Sequence, residues 1–238
     1  MERNSYHWLD LFSGGVPTAP FFFSYTLDGL EQIYLAQSDQ PGGSQLNELC
    51  VIGLVSYFEA FCKDHFASII NIEPSILRNL SKNGQDISID PTQVLELGNA
   101  LSYSIGFMIA EKYDFGTAQK INSLYRALIL ISPFSKDEIQ MYGNLLRVRN
   151  LLVHHGGTYT SSYITQNKSI LSSGKDRPFF DSLVISKTYV DKQFNFIKEV
   201  SRKMLKASHA ALIKYLDKNE IQLPEWKQKA VDSFLDEK

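Results

Sequence analysis

Between Gln45 and about Asn71 the chain places apolar residues on nearly every side of a helix: Leu49, Cys50, Ile52, Leu54, Tyr57, Phe58, Phe61 and Phe66. A helix that is apolar all round has to lie at the centre of a bundle, because no face of it tolerates water. That one stretch predicts a mainly α fold in which other helices wrap it. Glu59 is the only charge between Leu49 and Cys62, and a buried carboxylate is costly unless it is paired or hydrogen-bonded. It needs a cation, for which Arg149 and Arg147 are candidates, or else a place at the surface edge of the helix or some other donor.

The wrapping helices are legible by their spacing. A short one is expected at Asp28 to Gln37 and another at Pro74 to Asn83. Pro91 can open a third at its first position, with Val94, Leu97, Leu101, Ile105, Met108 and Ile109 inward as far as Lys112 and glycines 98 and 106 marking close helix contact. Thr117 to Ile131 repeats Ala118, Ile121, Leu124, Tyr125, Leu128 and Ile131 on one face. Ser135 is a good N-cap for the next helix, with Asp137 and Glu138 in its first turn. A last long helix runs from Asp191 to Leu216, with Phe194, Ile197, Val200, Met204, Ala207, Ala211 and Tyr215 inward and Arg202, Lys203 and Lys206 outward. Pro224 opens a terminal helical piece. Between these helices, Ser172 to Lys175 reads as a turn and Phe179 to Val190 is β-branched and aromatic, which predicts a small β-hairpin.

The expected organisation is an N-terminal extension, residues 1–43, packing on the bundle; a helical core, 44–157; and the hairpin-like insertion with the C-terminal helices, 158–238, in the same domain. Phe21-Phe22-Phe23 with Tyr25 would plug a groove on the bundle or, alternatively, offer a docking patch to a partner. No uninterrupted apolar run approaches the ~18 to 20 residues of a membrane span. The first residues lack the basic start and apolar block of a signal peptide, so a cytoplasmic address is expected. Cys50 and Cys62, roughly 18 Å apart along one helix, are too distant for a disulfide and read as two buried thiols.

The net charge of −2 conceals an asymmetry: residues 1–115 carry 5 Lys and Arg against 14 Asp and Glu, and residues 116–238 carry 19 against 12. The basic half would attract nucleic acid, unless the halves pack together and neutralise each other.

Acid–base and phosphate-directed groups crowd into Met141 to Gly157, MYGNLLRVRNLLVHHGG. Met141, Leu145, Val148 and Leu152 form an apolar stripe, and Arg147, Asn150 and His154 a polar one, with Arg149 roughly 140° from His154 on an ideal wheel. Gly156-Gly157 then stops the helix. Cysteine and histidine spacings suited to metal, a glycine-rich phosphate loop before a lysine, and a Gly-x-Ser-x-Gly elbow are all missing from the sequence, so neither a metal nor a cofactor is expected. What remains suits transesterification of RNA. His154 would move the ribose 2′-hydroxyl or leaving-group proton, Arg149 would stabilise the phosphorane, and Asn150 would hold the imidazole or the phosphate.

Arg149-Asn150-Leu151-Leu152-Val153-His154, followed by Gly156-Gly157, resembles the motif of HEPN domains (higher eukaryotes and prokaryotes nucleotide-binding): an arginine, a polar residue directly after it, and a histidine four to six residues on. The motif ends a long helix, and an apolar helix with a lone glutamate, LVSYFEAF, lies upstream, as in many members. The resemblance covers Gln45 to Gly157. It implies a HEPN-like helical bundle, metal-independent endoribonuclease activity of a toxin or phage-defence kind leaving a 2′,3′-cyclic phosphate, and a site built by two motif helices in a homodimer. Arg147 also fits the spacing to His154, and Arg149 fits it to His155, so the pairing stays open. A non-catalytic module that binds nucleotide or RNA, or dimerises, is the alternative, with the arginines paired to acidic residues and His154 capping helix carbonyls. A helical adaptor docking through the triple phenylalanine is a third reading.

Overall fold

The computed structural model describes residues 12–13, 16–17, 26–36, 45–166 and 181–235. The central element is α2, Gln45–Ile72, with sixteen buried residues that include both cysteines. Its C-terminal turns, from His65 to Ile72, are buried all round, whereas Leu49 and Tyr57 near its start are exposed. The expected buried cylinder is therefore complete only from His65 onward. Before α2 lies α1, Asp28–Leu35, and after it a 3-10 turn, Pro74–Ile76, leads into α3, Leu77–Lys82.

The helix expected from Pro91 to Lys112 is two. Gly98, at φ +49°, breaks it into α4, Pro91–Leu97, and α5, Leu101–Ala110, joined by the 3-10 turn Gly98–Ala100. Gly98 makes no close contact, since a Cβ built there meets nothing within 4 Å. Gly106 does, lying on the backbone of Ala67 in α2. The next helices are α6, Ala118–Ile129, and α7, Lys136–His155. Ser135 and Glu138 form a capping box at the start of α7, and Gly156 and Gly157 take the left-handed conformation at its end.

The hairpin expected after the motif does not form among the described residues. Those between 158 and 190 instead hold α8, Ser161–Gln166, a lone bridge between Thr158 and Ser182, and the start of α9, Lys187–Lys218. Local β-propensity lost to a cap: Ser186 accepts from the Tyr189 amide, and from there Val190, Phe194 and Ile197 continue one inward helical stripe. A two-residue ladder, β1 (Phe12–Ser13) with β2 (Val16–Pro17), is the other strand pairing among the described residues. The chain ends in α10, Glu225–Asp232, and a 3-10 turn, Ser233–Leu235.

One hydrophobic cluster runs from Leu27 to Phe234 and joins α1, α2, α6, α7, α9 and α10. Tyr34 of α1 donates to Asp191 at the start of α9 (2.9 Å), and Lys198 of α9 pairs with Glu31 (2.6 Å). Phe21 to Tyr25 and their proposed groove lie outside the described residues. No described helix is long and apolar enough to cross a membrane.

Candidate functional site

Helix α7 seats itself through Tyr142, Leu145, Val148, Leu151 and Leu152, all buried. Tyr142 replaces the expected Met141, which is 38% exposed, because the ring fits between Phe58 (5.4 Å between centroids) and Phe134 (5.3 Å). That register turns the polar stripe of α7 outward. Asn150, His154 and His155 are exposed, and Arg147 and Arg149 are half-buried.

Two depressions flank this stripe. The first, about 410 Å³, lies toward α2 and α6 and is lined by Glu59, Gly116, Thr117, Arg147, Arg149 and Asn150 among others. Arg149 is held there: its Nη2 is 4.0 Å from Glu59 Oε2, and its Nη1 donates to Asn150 Oδ1 at 3.0 Å. Burial raises the Glu59 carboxyl above its ordinary range, Arg149 draws it back, and Asp114 pushes it up again. Both partners of this ion pair are about a quarter exposed (26% and 28%), and the contact is long, so its value is below ~1 kcal/mol. It orients Arg149 more than it stabilises the fold.

The second depression, about 270 Å³, lies under α8 and holds Arg147, Asn150, His154, His155 and Tyr163. Arg147 and Asn150 line both hollows, whereas Arg149 reaches the first and His154 the second. The arginine that shares a hollow with the histidine is thus Arg147. Its Nη2 donates to Asn144, while its Nε is buried with no acceptor among the described residues. A buried guanidinium donor left without an acceptor is costly. Arg149 Nε is in the same condition.

Sequence reasoning missed the roof of the second hollow. Tyr159 and Tyr163 stack at 5.5 Å, and burial together with Tyr159 raises the Tyr163 hydroxyl pKa while Arg147 lowers it. Their i, i+4 spacing was the available signal, obscured by the polar residues around it. Backbone bonds from Leu183 to Gly157 (2.9 Å) and from Tyr159 to Asp181 (3.1 Å) tie the α7–α8 connection to the segment that leads into α9.

The charge asymmetry of the chain is partly discharged by contact between its halves, since Glu31–Lys198, Glu59–Arg149 and Asp114–Lys120 all join them. Among the described residues no carboxylate lines the second hollow. Its inventory of one guanidinium, two imidazoles, two amides, two aliphatic hydroxyls and one phenol can hold an anion and move a proton beside it. No family model matches the chain, and no curated protein and no solved structure matches it.

Proposed function

We propose that the chain is a metal-independent endoribonuclease of the HEPN kind, acting as a homodimer through α7. The observation that carries this reading is the convergence of Arg147, Asn150, His154 and His155 on one open hollow beside a buried, unsatisfied arginine donor. A phosphodiester of RNA would lie across it. His154 takes the proton of the ribose 2′-hydroxyl, whose oxygen attacks the phosphorus; the 5′-oxygen of the next nucleotide leaves with a proton from a second imidazole, and a 2′,3′-cyclic phosphate remains. His155, or His154 of a second copy across the two-fold axis, would serve as that acid. Arg147 stabilises the charge on the phosphorane. Arg149 acts as a positioning residue, since Glu59 and Asn150 Oδ1 hold it and its bond to Oδ1 in turn fixes the Asn150 amide.

The test is incubation of purified protein with mixed RNA in chelator. The parent is expected to cut and leave cyclic phosphate ends; His154→Ala is expected to lose at least ~10²-fold, and Arg147→Ala to lose more than Arg149→Ala. Equal cleavage by the parent and His154→Ala, or none by either, overturns the nuclease. The engagement of Arg149 by Glu59 favours a second reading, a non-catalytic module that binds nucleotide or RNA. RNA retained by the parent without cleavage, and released by Arg147→Ala, identifies it.

A further inference from the structure

Three helices end at one place on the side of the molecule away from His154. These are α3 at Lys82, α6 at Ile129 and α9 at Lys218. Between them lies a groove of about 540 Å³ lined by Arg78 and Lys82 of α3 on one wall, by Lys214 and Lys218 of α9 on the other, and by Leu130 and Ile131 of the α6–α7 connection. It adjoins the α6–α7 connection, whereas His154 is at the far end of α7, about 30 Å away at 1.5 Å per residue. The two sites are separate.

Basic residues at helix C-termini ordinarily need no ligand to explain them, because they complement the dipole and cap carbonyls. Here neutral amides do the capping. Asn79 Nδ2 donates to Leu128 O (2.9 Å), Asn83 Nδ2 to Ala127 O (3.4 Å), and Asn219 Nδ2 to Tyr215 O (2.7 Å). The four cations are exposed and have no ion-pair or hydrogen-bond partner among the described residues. Three helix ends, each counted in full at about −0.5, leave roughly +2.5 of the four charges uncompensated. Among the described residues no carboxylate lines the groove.

The apolar lining is as telling as the cationic walls. Leu130 has φ +62° and is 82% exposed. A left-handed leucine costs about 1–2 kcal/mol that glycine would avoid, and its side chain recovers little by burial within the chain. We infer that this groove binds an anion with two adjacent phosphates joined to an apolar or ring-bearing body: the diphosphate lies between the cationic walls, and the body rests on Leu130 and Ile131. A nucleoside diphosphate and a prenyl diphosphate both present that chemistry. The inference is independent of the ribonuclease proposal.

Calorimetric titration at low ionic strength with inorganic pyrophosphate, ADP and geranyl diphosphate tests it. One site per chain is expected for each, with both esters binding more tightly than pyrophosphate, and the tighter ester names the body. Lys82→Gln/Lys214→Gln is expected to weaken all three at least tenfold, and Lys218→Gln alone to weaken them less, with far-UV melts unchanged because the substituted side chains are exposed. Arg147→Gln/His154→Gln is expected to leave the binding intact. The site is overturned if none of the three binds, if the lysine variants bind like the parent, or if the motif variant abolishes binding. Esters no tighter than pyrophosphate overturn the role of Leu130 and Ile131.

Discussion

His65 occupies the tightest aromatic setting in the core, stacked on Phe61 at 5.8 Å and on Tyr125 at 6.1 Å, with Phe234 edge-on at 4.6 Å. It is 4% exposed and its Nε2 meets no partner among the described residues, so burial pushes the imidazole down to about 3. The unfolded chain takes up the proton near 6.5 and the folded chain does not, so stability is lost as pH falls from about 6.5 toward 3. Asp64 next to it works the other way. Burial pushes its carboxyl up to about 6, against the pull of Lys63, so its cost shrinks as pH falls from about 6 to the unfolded value near 4. The parent should therefore show a muted acid response, and His65→Phe should remove only the histidine part. Urea unfolding at pH 8 and pH 5 is expected to show the variant gaining ~2 kcal/mol on the parent over that interval; parallel curves would mean that His65 is protonated in the fold. At this scale the lone Glu59 was legible as a group in need of a cation, because desolvation cost follows from sequence context alone. Which arginine would answer it was not, since two arginines two residues apart differ only in which neighbouring element each meets. The wheel had already set Arg147, Asn150 and His154 on one stripe, and the preference for Arg149 came from the family motif.

The contact between α2 and α5 depends on one missing side chain. A Cβ on Gly106 would stand 2.0 Å from the carbonyl oxygen of Ala67 and 2.7 Å from Asn71 Oδ1. Asn71 brackets the crossing, accepting from the Gly106 amide at 2.7 Å and donating to the Tyr103 carbonyl at 2.8 Å. Gly106→Ala must force backbone away from backbone and strain both bonds, so a loss of about 3 kcal/mol or more is expected in urea unfolding; a loss below ~1 kcal/mol would mean the helices separate freely. Glycine at helical spacing was readable as close approach at 106. At 98 the same signal marked a chain break, because sequence does not distinguish a glycine kept for its lack of a side chain from one kept for its positive φ. The stop of α7 at Gly156-Gly157 and its start at Ser135 were readable because caps are local chemistry. The hairpin was misread for the converse reason: Phe179 to Val190 has strand-like residues, but the fate of its second half is decided by burial of Ile185, Val190 and Phe194 in a distant core.

The bundle does not divide where the motif ends. Helix α9 covers α2 with Ile197, Val200 and Met204, all fully buried, and is tied to α1 through Tyr34 and Glu31. A chain cut after Gly157 is therefore expected to lack a cooperative thermal transition and to bind a hydrophobic dye, as a core opened along one side would. Two-state unfolding of that fragment would show instead that the first two thirds of the chain suffice. During synthesis the consequence is one of order. The most water-averse helix emerges early and its cover is the last long element made, so at ~5–20 residues per second it waits on the order of ten seconds between Ile72 and Lys218. Until then the nascent chain presents a sticky rod to its surroundings, and its yield in the cell should rise with the supply of holdase chaperones.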